Sequence, residues 1–309
     1  MRFCCRWTWL GILAPVVIGA AFLAGCGGGG GSGSESSSES SGSGTSKTSA
    51  KVLAIESRGS IKGLVVVKDL DKDDLKDKNK KQKEQIDAYE TKEGTKACHE
   101  SASDKEMGDQ TWLLSEDGKG LQAVAVWLAP PSDRYYELTS DDLDPMKGGW
   151  EKELKLKQPH CAFTPHVMVV FHQYKDKNGK FKDTDQKITV VNNATTSHNT
   201  KIPDIGYDSK LMKADSEAKD HPELKPSKDP YKLNCNVHNW MGGYIWSFDH
   251  PFATVTKDDG SFEIKNAPAG TELTLMVWHE SMKKPMEKKV TLDKDKMQDA
   301  GTIEVEYKK

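Results

Sequence analysis

The chain has 309 residues, with 44 basic against 47 acidic side chains and a net charge of −3. That mild acidic balance excludes a nucleic-acid partner, which requires a basic face. The length accommodates one large β domain or two smaller ones once the first 50 residues are set aside. Arg2 and Arg6 open the chain, and an apolar stretch over residues 10–23 follows, broken by Pro15 and Gly19. The stretch is too short, and wrongly flanked, for a stable membrane-spanning helix. It ends in Leu23-Ala24-Gly25-Cys26. Residues 27–50 are almost all Gly, Ser, Thr and Glu. They are expected to form a flexible tether, spanning roughly 27 Å on average.

Small residues before a cysteine, at the end of an apolar run, resemble the bacterial lipoprotein signal. The resemblance implies a signal peptide over 1–25 and a lipid on Cys26, the first residue of the mature chain. It also implies attachment to a bacterial membrane, facing the periplasm or the cell exterior. An ordinary signal peptide or a membrane anchor is the alternative. Losing Arg2 and Arg6 leaves 42 basic against 47 acidic residues, a net charge of −5. Export places the chain in an oxidising compartment. Cys4 and Cys5 leave with the signal and Cys26 carries the lipid, so Cys98, Cys161 and Cys235 remain. Two of them can pair, and the third needs a separate role.

The β-branched run over 61–67 predicts a first strand. Residues 68–96 are dense in Lys, Asp and Glu of mixed sign and predict a solvated insertion, helical around 80–90. Strands are expected at 121–128, 162–171 and 186–192. Residues 204–230 are polar with three prolines and read as a long loop, with a short helix near 208–218. Further strands are expected at 243–248, 252–256, 261–265, 272–278, 288–292 and 302–307, with an Asp259-Gly260 turn. This spacing, without long helical periodicity, predicts an all-β sandwich architecture. The chain divides into an N-terminal β region with a charged insertion (51–160), a second β region (161–249) and a C-terminal one (250–309).

The most informative stretch is Cys235-Asn236-Val237-His238-Asn239-Trp240-Met241. It carries a thiolate, an imidazole and a thioether at even spacing on one short loop. A trigonal copper site needs two His and one Cys, with a weak axial Met. The missing imidazole must come from elsewhere in the chain, and His198 stands just after a strand that runs into Asn192-Asn193. Over about 162–248 the chain resembles the cupredoxins, with a short ligand loop of the amicyanin type; Phe163-Thr164-Pro165 is similar to their opening strand. The resemblance implies a Greek-key β-sandwich holding one type 1 copper, with His198, Cys235 and His238 as equatorial ligands and Met241 axial. The chain departs from small cupredoxins at 172–185 and in the long span between His198 and Cys235.

Several rival copper centres are excluded. A binuclear centre needs two cysteines in the loop. Multicopper oxidases and copper nitrite reductases place a histidine beside the ligand cysteine, where this chain has Asn234 and Asn236, and no His-X-His pair exists. The chain is therefore expected not to be an enzyme. Cys98-His99 and His160-Cys161 invite a zinc reading. Adjacent residues in an extended chain point opposite ways, so a Cys98–Cys161 disulfide is simpler. His166 and His172 share a strand face and are expected to be structural. His250 and His279 lie near strand ends without an assigned role. His238 is expected on an exposed loop, its ring edge serving as an electron port.

Residues 259–275, with Asp259-Gly260-Ser261-Phe262-Glu263-Ile264 and Pro268-Ala269-Gly270, resemble the carboxypeptidase regulatory-like β-sandwich, a smaller structural module. Residues 59–67 are similar to its opening strand, so the copper region is either inserted within it or placed in series. The expected function is one-electron transfer with a transiently docked redox partner protein. The alternatives are non-redox copper binding or delivery, and a metal-free surface protein.

Overall fold

The computed structural model describes residues 51–309; the signal segment, Cys26 and the tether lie outside the described residues. In chain order the strands are β1 (Lys51–Leu53), β2 (Arg58–Lys68), β3 (Ala125–Ala129), β4 (Arg134–Tyr136), β5 (Glu153–Lys157), β6 (Val167–Val170), β7 (Gln173–Lys175), β8 (Phe181–Asp183), β9 (Lys187–Asn192), β10 (Lys201–Ile202), β11 (Tyr207–Asp208), β12 (Ser216–Glu217), β13 (Tyr231–Asn234), β14 (Gly242–Ser247), β15 (Ala253–Val255), β16 (Ser261–Pro268), β17 (Glu272–Trp278), β18 (Met286–Thr291) and β19 (Met297–Glu306). The helices are α1 (Lys72–Glu93), α2 (Asp104–Met107), α3 (Ser140–Leu143) and α4 (Pro145–Gly148). The architecture is an all-β sandwich, as the strand spacing predicts.

Two cores form. In the first, β2 lies between β16, antiparallel, and β19, parallel. Opposite stands the antiparallel sheet β15-β3-β17-β18. Alternate residues of a strand face one side, so Leu273, Leu275 and Val277 of β17 meet Ile61 and Val65 of β2 in the buried core. The inward position between Ile61 and Val65 is Gly63. A Cβ there would stand 2.6 Å from the Phe262 ring, so only glycine admits that ring.

The second core lies between the sheets β11-β10-β13-β14-β6 and β12-β9-β5. Leu156, Met168, Val170, Ile188, Val190, Leu233 and Ile245 fill it. Every strand of these two sheets falls in sequence between β3 and β15, which pair with each other. The second sandwich is thus an insertion within the first. Trp127, Trp246 and Trp278 form a buried aromatic seam between them, with ring centroids 4.8 Å apart for Trp127–Trp246 and 5.6 Å for Trp246–Trp278.

The charged insertion is helical, as expected around 80–90, but one stripe of it packs on the protein. α1 runs for 22 residues, capped by the Asp71 side chain at its start and by Gly94 in the left-handed conformation (φ 66°) at its end. Leu75 packs on the first core, while Ile86, fully buried, belongs to the second. The helix therefore straps the two sandwiches together. Near 208–218 no α-helix forms. Lys210 (φ 60°) and Asp215 (φ 52°) break the helical backbone, and this segment instead supplies the short strands β11 and β12.

Three histidines outside the expected ligand set should make the fold acid-sensitive. His172, His250 and His279 are buried, and each accepts a backbone N–H at Nδ1, from Leu224, Phe252 and Ser281 respectively. A protonated ring would turn a donor toward each N–H. Burial lowers all three to about 4 from the ordinary 6.5. Between pH 6.5 and 4 the unfolded chain binds protons that the folded chain refuses, so stability falls as acid is added and levels off below about 4. The expected loss is up to about 3 kcal/mol per histidine. Urea melts at pH 7.5 and pH 4.5 check it; equal midpoints would contradict it.

Candidate metal centre

β9 ends in Asn192, whose side chain organises the turn that follows. Its Nδ2 donates to the carbonyls of Thr196, Met212 and Lys213 (2.9–3.1 Å), and its Oδ1 accepts from the Ala194 N–H. His198 is then pinned through its backbone to Met212 by reciprocal bonds of 3.1 and 2.7 Å. The ligand loop leaves β13 at Cys235 and re-enters β14 after Met241. It is closed by the Met241 N–H donating to the His238 carbonyl (3.0 Å) and the Cys235 N–H donating to the Met241 carbonyl (3.3 Å). Met241 is thereby folded back beside Cys235, and both are buried.

Three of the four expected ligands converge side chain to side chain. Ligand atoms of His198, Cys235 and His238 all lie within 4.8 Å of one another. The two Nδ1 atoms are 3.0 Å apart, and Cys235 Sγ is 4.0 Å from His198 Nδ1. Both histidines are completely buried. Burial, reinforced by the neighbouring His238 ring, lowers His198 to about 3; burial, opposed by Glu90, lowers His238 to about 4. Both rings are neutral at ordinary pH, with lone pairs free for a metal. Two neutral rings presenting Nδ1 to each other at this distance need a cation or a shared proton between them. One cysteine sulfur and two imidazoles form a donor set that suits copper.

Asn199 is a site residue that the sequence reading missed. Its Oδ1 accepts from the Asn236 N–H (2.8 Å) and from the Cys235 thiol (3.5 Å), joining the two ligand segments. Its position directly after His198, an expected ligand, is the available signal.

Cys98 and Cys161 form a disulfide, and Cys235 is a free buried thiol. The His238 ring is not exposed, contrary to expectation. Tyr89 of α1 meets it edge-on at 4.8 Å, and Trp240 stands 5.2 Å away. Gln85 of α1 donates to Asn239 (2.9 Å), fixing the helix over the ligand loop. The disulfide lies on the same side, with its sulfurs and a His238 ring nitrogen all within 4.8 Å of one another. His166 stands against Glu280 at 2.6 Å, and the His160 ring is held by Glu106 at 2.7 Å.

No protein-family model and no curated protein matches the chain. Among solved structures, the Cu-containing nitrite reductase (NirK) from Thermus scotoductus SA-01 is 12% identical, with a TM-score of 0.24, over 31% of this chain and 22% of that one. The novel purple cupredoxin from Nitrosopumilus maritimus is 11% identical, with a TM-score of 0.22, over 30% of this chain and 98% of that one. The match thus spans about a fifth of the reductase's length.

Proposed function

We propose that the chain is a cupredoxin-like protein that carries one electron at a mononuclear type 1 copper site, tethered to the cell envelope through a lipid on Cys26. The observation that carries this reading is the buried convergence of His198, Cys235 and His238, with the Met241 backbone bonded to that of Cys235. When bound, copper supplies a one-electron couple. Cys235 offers the thiolate, and the neutral rings of His198 and His238 offer Nδ1. Asn199 holds the two ligand segments in register. Tyr89 and Trp240 keep water from the His238 ring. With the ligands held in place by backbone bonds rather than by the metal, little has to move as charge changes, which suits electron transfer to a weakly docked protein partner. The chain is proposed to be a carrier rather than an enzyme.

The test is a Cu(II) titration of the full mature chain, followed by visible absorption. Saturation at one copper per chain with an intense blue or green colour is expected. Uptake of copper without that colour would overturn the electron-transfer reading in favour of storage or delivery.

A further inference from the structure

We propose that Cys98, Cys161 and His238 form a second, redox-controlled site for a soft monovalent metal, Cu(I), which the disulfide closes and its reduction opens. The three side chains are each at least 97% buried, and their sulfurs and a ring nitrogen lie within 4.8 Å of one another. His238 turns Nδ1 toward His198, so Nε2 occupies the other side of its ring. That Nε2 is buried with no hydrogen-bond partner. A buried polar atom left unpaired calls for an explanation, and a metal bound to the adjacent sulfurs supplies one. Two thiolates and an imidazole make a soft, three-donor set suited to Cu(I).

Contacts other than the S–S bond hold both cysteines in place. The Cys98 N–H donates to the buried carboxylate of Glu90 at 2.6 Å, and the His99 N–H joins it at 3.2 Å. The Cys161 carbonyl accepts from Trp240 Nε1 at 3.1 Å, which ties it to the ligand loop. Opening the disulfide therefore leaves both sulfurs beside His238. The chemistry balances with a dithiol reductant. Two electrons and two protons pass to the sulfurs, the S–S bond breaks, and the reductant becomes a disulfide. Cu(I) binding then expels the two thiol protons and, where Nδ1 already holds copper at the first site, the remaining ring proton of His238, and no electron moves. With both sites filled, His238 would be shared as a bridging imidazolate, with Nδ1 toward the first site and Nε2 toward the second. An oxidised chain would hold metal at the first site alone, and a chain not yet oxidised would hold an additional Cu(I).

The experiment uses the full mature chain, reduced anaerobically, freed of reductant and titrated with Cu(I) against bicinchoninate. One Cu(I) is expected for the oxidised chain and two for the reduced chain. The reduced Cys235→Ser variant should bind one Cu(I) more than its own oxidised form, which separates this proposal from the blue-copper reading, since the new site lacks Cys235. X-ray absorption on that variant should show two sulfur neighbours and one nitrogen. The double variant Cys98→Ser/Cys161→Ser should lose the second Cu(I). Equal uptake before and after reduction overturns the proposal, as does a second Cu(I) that survives the double variant. Loss of near-UV circular dichroism on reduction overturns it too, because the site requires the cysteines to stay in place without their bond.

Discussion

Replacing Cys235 with serine is expected to abolish the visible absorption of the copper-loaded protein while leaving the fold intact. The colour of such a site arises from charge transfer out of a thiolate, and a serine oxygen is hard and poorly deprotonated. Cys235 is buried, and its thiol donates a 3.5 Å bond to Asn199. The serine hydroxyl can donate to the same acceptor, so the apo-protein should lose little stability. Some copper will remain on His198 and His238, with affinity reduced by more than the roughly 10–100-fold typical of losing an outer-shell partner. Absorption spectra and copper analysis on one sample decide the matter. A variant that keeps the band would remove Cys235 from the site.

Tyr89→Ala should open the site without dismantling it. The wild-type His238 ring is fully buried because Tyr89 and Trp240 cover it. α1 remains anchored by buried Ile86 and by the Gln85–Asn239 bond. Removing the phenol ring therefore uncovers His238 while the helix stays in place. The expected result is copper removal by an external chelator at least about tenfold faster, a change of about 1.4 kcal/mol in barrier. Tyr89→Phe should behave as wild type, since only the ring matters. An unchanged rate in Tyr89→Ala would show that some other group shields the metal. Ile86→Ala is the stronger perturbation, costing about 2–5 kcal/mol by analogy with other core truncations and releasing the helix from the second core.

These two substitutions divide the site into a legible half and a hidden one. Cys235, His238 and Met241 sit within seven residues, and a short loop imposes their proximity whatever surrounds it. His198 was legible because a strand ending in asparagines delivers it. Tyr89 was hidden, because it approaches His238 from far along the chain on a helix that reads as polar all round. The pattern is present in hindsight. Leu75, Asn79, Gln82, Ile86 and Tyr89 recur at helical spacing along one stripe. Two of the five are amides, however. Asn79 is there because its side chain accepts the Asp109 N–H at 2.9 Å, a tertiary bond that no local pattern reveals. The helix expected near 208–218 failed for a related reason. The Met212 backbone bonds to His198, so contact with the ligand segment outweighed local composition. β5, with its alternating Glu-Leu-Lys-Leu-Lys, was overlooked although its period of two was visible.

Strands β3 and β15 pair antiparallel, with Ala125 opposite Val255 and Trp127 opposite Ala253. They amount to a hairpin whose connecting turn has been replaced by a whole sandwich. Inserted units of this kind can often be cut out and expressed alone, but here the cut would divide the metal centre. Residues 139–250 contain all four proposed ligands, yet Tyr89 and Cys98 belong to the host portion that precedes β3. An excised guest would carry an uncovered His238 and an unpaired Cys161. The host is thus the supplier of the door and of one half of its bolt, and the guest's chemistry is private only while the two remain one chain.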